Sequence, residues 1–387
     1  MAGPRFRYVG RHRAWTRAYM PPARCVDGSA GLRHHPPTIG FVTKNAHMLP
    51  VILAGAGLLS GGMATLAAAQ WLFSFSLDTH SRFSMMKRLS TGKVGPAADY
   101  LDITHADADD EARAARWFAE GRTDAQITSE DGLRLHAWLM GPDASHAGGA
   151  APYAEDSHLW AICCHGYSGG PDEMAKYAMH LASKGFHTLL PAMRAHELSE
   201  GRYIGMGWLE RRDLIGWIRW IVERDPEASI LLMGVSMGAS TVMMTVGERD
   251  LPENVAAAIE DCGYPCVWDE FMDNARSLYH VPAAAAKPVV AVMSAICKVR
   301  AGYGFRQASA LPSLGRAHVP MLFIHGGADT FVPTRFLAVN YEACASDDKE
   351  CLEIPGAVHA MSASTDPKRY WDAVDAFVDR AMPGDGV

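Results

Sequence analysis

The sequence has no C-x-x-C pair, no H-E-x-x-H and no low-complexity tract. A zinc ribbon, a zincin helix and a disordered repeat are thereby excluded. Eight cysteines in 387 residues are too sparse for a disulfide scaffold. Cys163-Cys164 lie in an apolar run and read as core thiols. Cys344 and Cys351 flank the polar turn SDDKE and are expected to pair if the domain is exported. Lys93 follows Gly92, but the rest of a phosphate-binding loop is missing. No metal, nucleotide or other cofactor is expected.

Acid is scarce at one end of the chain. Residues 1–47 hold eight Lys/Arg against one acid, Asp27, a balance of +7; the whole chain carries −7, so the remainder sums to −14. A globular part this acidic argues against nucleic acid as a partner. The basic stretch 1–47 shows no periodicity and reads as a disordered tail. Charge is absent altogether from LPVILAGAGLLSGGMATLAAAQWLFSFSL, residues 49–77, which exceeds the roughly 20 apolar residues a helix needs to span a bilayer. Ala67-Ala68-Ala69 offers a cleavage site, yet Trp71, Phe73 and Phe75 continue the run and suit an interfacial aromatic belt. A transmembrane signal anchor over 48–77 is expected, left uncleaved. The basic flank then stays cytoplasmic and the acidic domain lies outside the cell membrane. A polar connector, 78–122, leads to a globular domain over 123–387, which is expected to stand without anything upstream of residue 78.

Strand and helix patterns alternate through that domain. AQIT (125–128) and LRLHAWLM (133–140) around Asp131-Gly132 read as a β-hairpin. LWAICC (159–164), FHTLLP (186–191), SILLMG (229–234), NVAAAIED (254–261), VPMLFIHG (319–326) and CLEIPG (351–356) are short apolar runs of the kind buried on both faces of a sheet. Amphipathic helical patterns separate them, notably 173–185 and 208–224. This predicts an α/β fold with a mostly parallel sheet flanked by helices. The alternation breaks over about 263–312, where Pro282, Lys287 and Pro288 interrupt an apolar stretch; an inserted helical cap is expected there.

Two G-x-S-x-G patterns occur, around Ser168 in HGYSGG and around Ser236 in GVSMG. A nucleophile at a strand end needs a tight turn and a helix directly after it. Only Ser236 has both, with SILLMG before it and MGASTVMMTVGE behind. A serine hydroxyl also needs a histidine to take its proton and a carboxylate to fix that histidine's tautomer. Asp329 follows VPMLFIHG and His359 follows CLEIPG, so Ser236, Asp329 and His359 project from one edge of the predicted sheet, in the order Ser, acid, His. Asp261, also after a strand, competes for the acid role. His165 and His325 precede Gly-rich turns and read as structural.

HGYSGG, RAHELSEG, GVSMGAS, DCGY, HGGADTFVP and PGAVHA carry a resemblance. The sequence is similar to the α/β-hydrolase superfamily, within it to membrane-anchored bacterial hydrolases of the serine aminopeptidase-like and esterase-like kind. The likeness covers about residues 124–382. It departs where the family pattern Asp-x-Arg-Gly-His-Gly meets Ala192-Met193-Arg194-Ala195-His196-Glu197. The resemblance implies that the backbone N–H groups of Tyr167 and Met237 form an oxyanion hole, which leaves Ser168 outside the chemistry. Tyr167, Trp268 and Phe271 are candidates for an acyl pocket. The function implied is a serine hydrolase cleaving an ester, thioester or small amide of a small-molecule acyl substrate through an acyl-enzyme. A peptidase or acyltransferase of the same fold, or a non-catalytic binding protein, are the alternatives.

Overall fold

The structure is a computed structural model that describes residues 58–90, 107–143 and 157–382; the basic segment 1–47 lies outside the described residues. In chain order the helices and strands run α1 (Leu58–Ser76), α2 (Met85–Ser90), α3 (Ala108–Gly121), β1 (Thr123–Thr128), β2 (Arg134–Met140), β3 (Leu159–Cys164), α4 (Ala175–Ser183), β4 (His187–Pro191), α5 (Glu210–Val222), β5 (Ser229–Val235), α6 (Met237–Thr245) and β6 (Val255–Asp261). The rest are α7 (Val267–Ser277), α8 (Ala283–Ala301), α9 (Leu311–Leu314), β7 (Met321–Gly326), α10 (Arg335–Ala343), β8 (Lys349–Ile354), α11 (Ser362–Thr365) and α12 (Pro367–Ala381). The strands form one eight-stranded sheet in the order β1-β2-β4-β3-β5-β6-β7-β8. The β1–β2 and β2–β4 pairs are antiparallel and every other pair is parallel. The expected hairpin turns at Gly132, whose φ of 85° only glycine adopts without cost.

Parallel strands are connected by helices that cover both faces, so strands such as Ile230–Val235 are apolar without alternation and buried throughout. Helices α7 and α8 and the short α9 occupy the stretch expected as a cap. Pro288 is accommodated inside α8; it falls within the second turn, where little of the helical hydrogen-bond ladder precedes it.

Where the family pattern has two glycines, Ala195 and Glu197 take φ of 65° and 45°. A side chain in the left-handed region costs about 1 kcal/mol relative to glycine. The loop is held regardless, because Arg194 is buried and forks onto Asp213 (2.6 and 2.6 Å) and Asp131 (2.9 and 3.2 Å). Ala195→Gly should therefore raise stability by up to about 1 kcal/mol, read as a higher midpoint in thermal unfolding; a lower midpoint would show that the conformation is not strained.

The N-terminal apolar run departs most from expectation. Among the described residues no helix is long and apolar enough to cross a membrane. The expected span 48–77 resolves instead into α1, with residues 48–57 outside the described residues. Helix α1 packs against α8, and Ala68, Ala69, Phe73 and Leu77 are buried in the same core as β2, β3 and α5. The chain that follows is stitched to the domain. Ile204 N–H donates to Leu77 O (3.0 Å), and Arg202 forks onto Asp78 (3.1 and 2.9 Å). The expected boundary at residue 78 is corrected accordingly: α1 is part of the folded unit. Within the expected connector, α3 is likewise fixed, by Lys176 bonding Asp107 (3.1 Å), Glu111 (2.8 Å) and Ser364 (2.5 Å).

No disulfide joins Cys344 and Cys351. The Cys344 thiol is buried 3.6 Å from Met321 Sδ, so that expectation is corrected too.

Candidate active site

Strand β5 ends at Val235, Ser236 takes φ 58° and ψ −114°, and α6 begins at Met237. That backbone is strained for any residue but glycine, and it raises the hydroxyl above the sheet edge. The flanking glycines make the turn possible. A Cβ on Gly234 would collide with Gly238, and one on Gly238 with the Cys164 carbonyl. Only an elbow with two bare positions fits between β5, α6 and β3.

His359 Nε2 lies 2.9 Å from Ser236 Oγ, and His359 Nδ1 lies 2.7 Å from Asp329 Oδ2. The other Asp329 oxygen accepts from the N–H groups of Phe331 and Val332, both at 2.9 Å. All three side chains are buried. Burial opposes charge on Asp329, but His359 and His325 outweigh it and hold the carboxyl down at about 2. The carboxylate is thus ionised at neutral pH and directs the proton of His359 onto Nδ1, which leaves Nε2 as an acceptor for the serine hydroxyl. Asp261, the competing acid, is engaged elsewhere: its Oδ1 accepts from Ser362 Oγ (3.0 Å) and its backbone carbonyl from Ser236 N–H (2.8 Å).

The HGYSGG loop lies beside the elbow, with Gly166 close against the Ser236 Cβ. His165 is neutral, held at about 3 by burial and by His196. Its Nε2 accepts from Met193 N–H (3.1 Å) and its Nδ1 faces Gly166 O (2.7 Å). This is the structural role expected of it, and His325 plays a similar one through Val332 O (2.9 Å). Glu173 accepts from Gly166 N–H (2.9 Å), His196 Nε2 bonds Tyr167 O (2.8 Å), and the Tyr167 hydroxyl donates to Ser76 O at the end of α1. Among the described residues no hydrogen bond engages the Tyr167 N–H. Met237 opens α6, where helix amides point outward without an intrahelical partner.

Of the expected pocket residues, Tyr167 is at the site. Trp268 and Phe271 are on the cap helix α7, where Trp268 packs under Arg306 (3.9 Å to the ring) and Phe271 stacks on Phe305 (4.8 Å). Phe331, not singled out from the sequence, lies against the His359 ring at 4.9 Å. Glu173 was also missed, since an acid at the start of an amphipathic helix reads as solvent-facing with no partner; here its carboxylate takes the Gly166 N–H of the loop beside the elbow. Cys262, Asp329 and His359 each bring one possible metal-ligand atom within 4.8 Å of the others, but two of those three groups are committed to their mutual hydrogen bond.

One buried acid behind the site is costly. Glu260 at the end of β6 accepts from Gly263 N–H (2.9 Å), and burial lifts it from 4.5 to about 8 against the pull of His325. Between those two values the folded state keeps a proton that the unfolded chain has lost, so stability falls as pH rises. Glu260→Gln removes that dependence. Its melting point should overtake that of the unsubstituted protein as pH is raised from 5 to 8, by a few kcal/mol in unfolding free energy. Parallel curves would refute the burial argument.

A model of the α/β-hydrolase fold matches residues 162–280, the stretch that runs from β3 through the elbow into the cap. Esterase Pf2001 of Pyrococcus furiosus superposes with a TM-score of 0.55, covering 69% of this chain and 94% of that one at 21% identity. The chain has the α/β-hydrolase fold. Two curated relatives of this chain are uncharacterised. YqkD of Bacillus subtilis is 26% identical over 219 residues, 56% of this chain and 70% of its own. Rv2307c of Mycobacterium tuberculosis is 24% identical over 264 residues, 66% of this chain and 78% of its own.

Proposed function

We propose that this α/β-hydrolase is a serine hydrolase that cleaves an ester, thioester or small amide of a small-molecule acyl substrate. The observation that carries the reading is the hydrogen-bonded chain Ser236–His359–Asp329 on a strained elbow. Ser236 Oγ attacks the carbonyl carbon while its proton passes to His359 Nε2. The resulting oxyanion is met by the N–H groups of Tyr167 and Met237. The tetrahedral adduct then collapses, the C–O, C–S or C–N bond breaks, and the leaving group takes the proton from His359. Water, deprotonated by the same imidazole, releases the acid and restores the serine. Each oxyanion donor is worth about 3–4 kcal/mol of barrier in such chemistry.

The test is a panel of p-nitrophenyl esters of increasing acyl length beside aminoacyl amides. Ester turnover should appear, and no turnover of any ester or amide would leave a non-catalytic binding protein. We place the enzyme at the cell membrane: it should sediment with the membrane fraction of lysed cells, and recovery wholly in the supernatant would remove it from the membrane.

A further inference from the structure

Asp and Glu make up 43 of 387 residues, yet none occurs between Asp27 and Asp78 or between Asp273 and Asp329. At the chain's average frequency two such stretches would hold about a dozen. The fold brings them together, because α1 from the first packs against α8 from the second, with the Arg300 guanidinium over the Phe73 ring at 5.6 Å.

Each helix turns one side inward and leaves an apolar side in water. On α1, Met63 is 76% exposed and Leu66 54%; on α8, Val299 is 86% exposed. These are three of the five large exposed hydrophobics among the described residues. Pro288, Ala291 and Ala295 continue the exposed side of α8 at helical spacing, and its exposed charges, Lys287, Lys298 and Arg300, are all basic. Two packed helices that expose apolar residues and whose own exposed charges are cations alone, on a domain that is otherwise strongly acidic, have the composition of an interfacial membrane face.

We infer that the α1–α8 face docks on the surface of a bilayer containing anionic lipid. Charge picks this occupant over a second copy of the chain, since two such faces would repel. Continuity supports it: the uncharged residues 49–57 lead directly into α1 and the basic residues 1–47 precede them. The docked helix ends on the catalytic loop, because Ser76 O receives the Tyr167 hydroxyl. The inference stands independently of the chemistry proposed for Ser236, and it deepens the membrane location by naming the surface that makes contact.

The experiment places an environment-sensitive nitrobenzoxadiazole probe at Val299→Cys or, as the reference position, at Val339→Cys on α10. The full chain is used, and the unsubstituted chain carried through the same labelling sets the background. Phosphatidylcholine vesicles are compared with vesicles that also contain phosphatidylglycerol. The 299 probe should brighten and shift to the blue with phosphatidylglycerol present, and the 339 probe should not. Lys287→Glu/Lys298→Glu should weaken vesicle partition by at least about tenfold, in protein whose melting curve shows that it is folded. A silent 299 probe on protein that still pellets with vesicles would overturn the inference and assign attachment to residues before Leu58. Equal responses at 299 and 339 would mean non-specific adsorption. A response at 299 that depends on protein concentration without lipid would make the face a self-interface.

Discussion

Ser236→Ala should reduce ester hydrolysis by at least about 10⁴-fold, because the nucleophile is removed and the rest of the site supplies only binding and oxyanion stabilisation. Ser168→Ala should retain most activity, since that serine lies on the loop that frames the site and outside the Ser236–His359–Asp329 chain. His359→Ala should match the Ser236 variant. Asp329→Asn should also cost about 10⁴ in kcat: an amide in place of the carboxylate no longer fixes the proton on Nδ1, 2.7 Å away. Asp261→Asn should cost much less in rate, because that carboxylate bonds Ser362 and not the imidazole. Steady-state rates on one ester, with matched melting curves for all variants, check the set. A larger loss of rate from Asp261→Asn than from Asp329→Asn would move the acid to β6.

Removing residues 1–77 should leave a domain that fails to accumulate in folded form or melts far below the full chain. Phe73 and Leu77 are fully buried, and emptying a single aromatic site of this kind costs about 3–5 kcal/mol, a large share of a domain's whole stability. The same cut strips the cover from α8 and the Ser76 acceptor from Tyr167. A chain beginning at Leu58 keeps every described contact and should melt close to the full-length protein. Side-by-side thermal unfolding of the two truncations decides it. Full stability of the shorter one would show that α1 contributes nothing to the fold.

The sheet strands were readable in the sequence because parallel strands buried on both faces are short apolar runs between helical patterns, and the elbow because Gly234 and Gly238 are forced by backbone contacts that no other residue permits. Asp329 and His359 were readable because each follows a strand that ends at the same sheet edge. Helix α1 was not. An uncharged helix that packs on a second apolar helix has the same local composition as one in lipid, and its partner α8 lies far downstream in the chain. Ala195 and Glu197 gave no sign of their left-handed backbone, since the usual marker of that conformation is glycine. Glu173 reads as a surface acid, and only the folded-back HGYSGG loop shows its partner, the Gly166 N–H.

The central claim is that Ser236 is an activated nucleophile, and one measurement tests it most directly. The protein is treated with a fluorophosphonate, digested, and the peptides weighed by mass spectrometry. The account predicts a single stoichiometric adduct on the peptide carrying GVSMG, located at Ser236 and lost in His359→Ala. An adduct at Ser168 instead, or none on the folded protein, would contradict it.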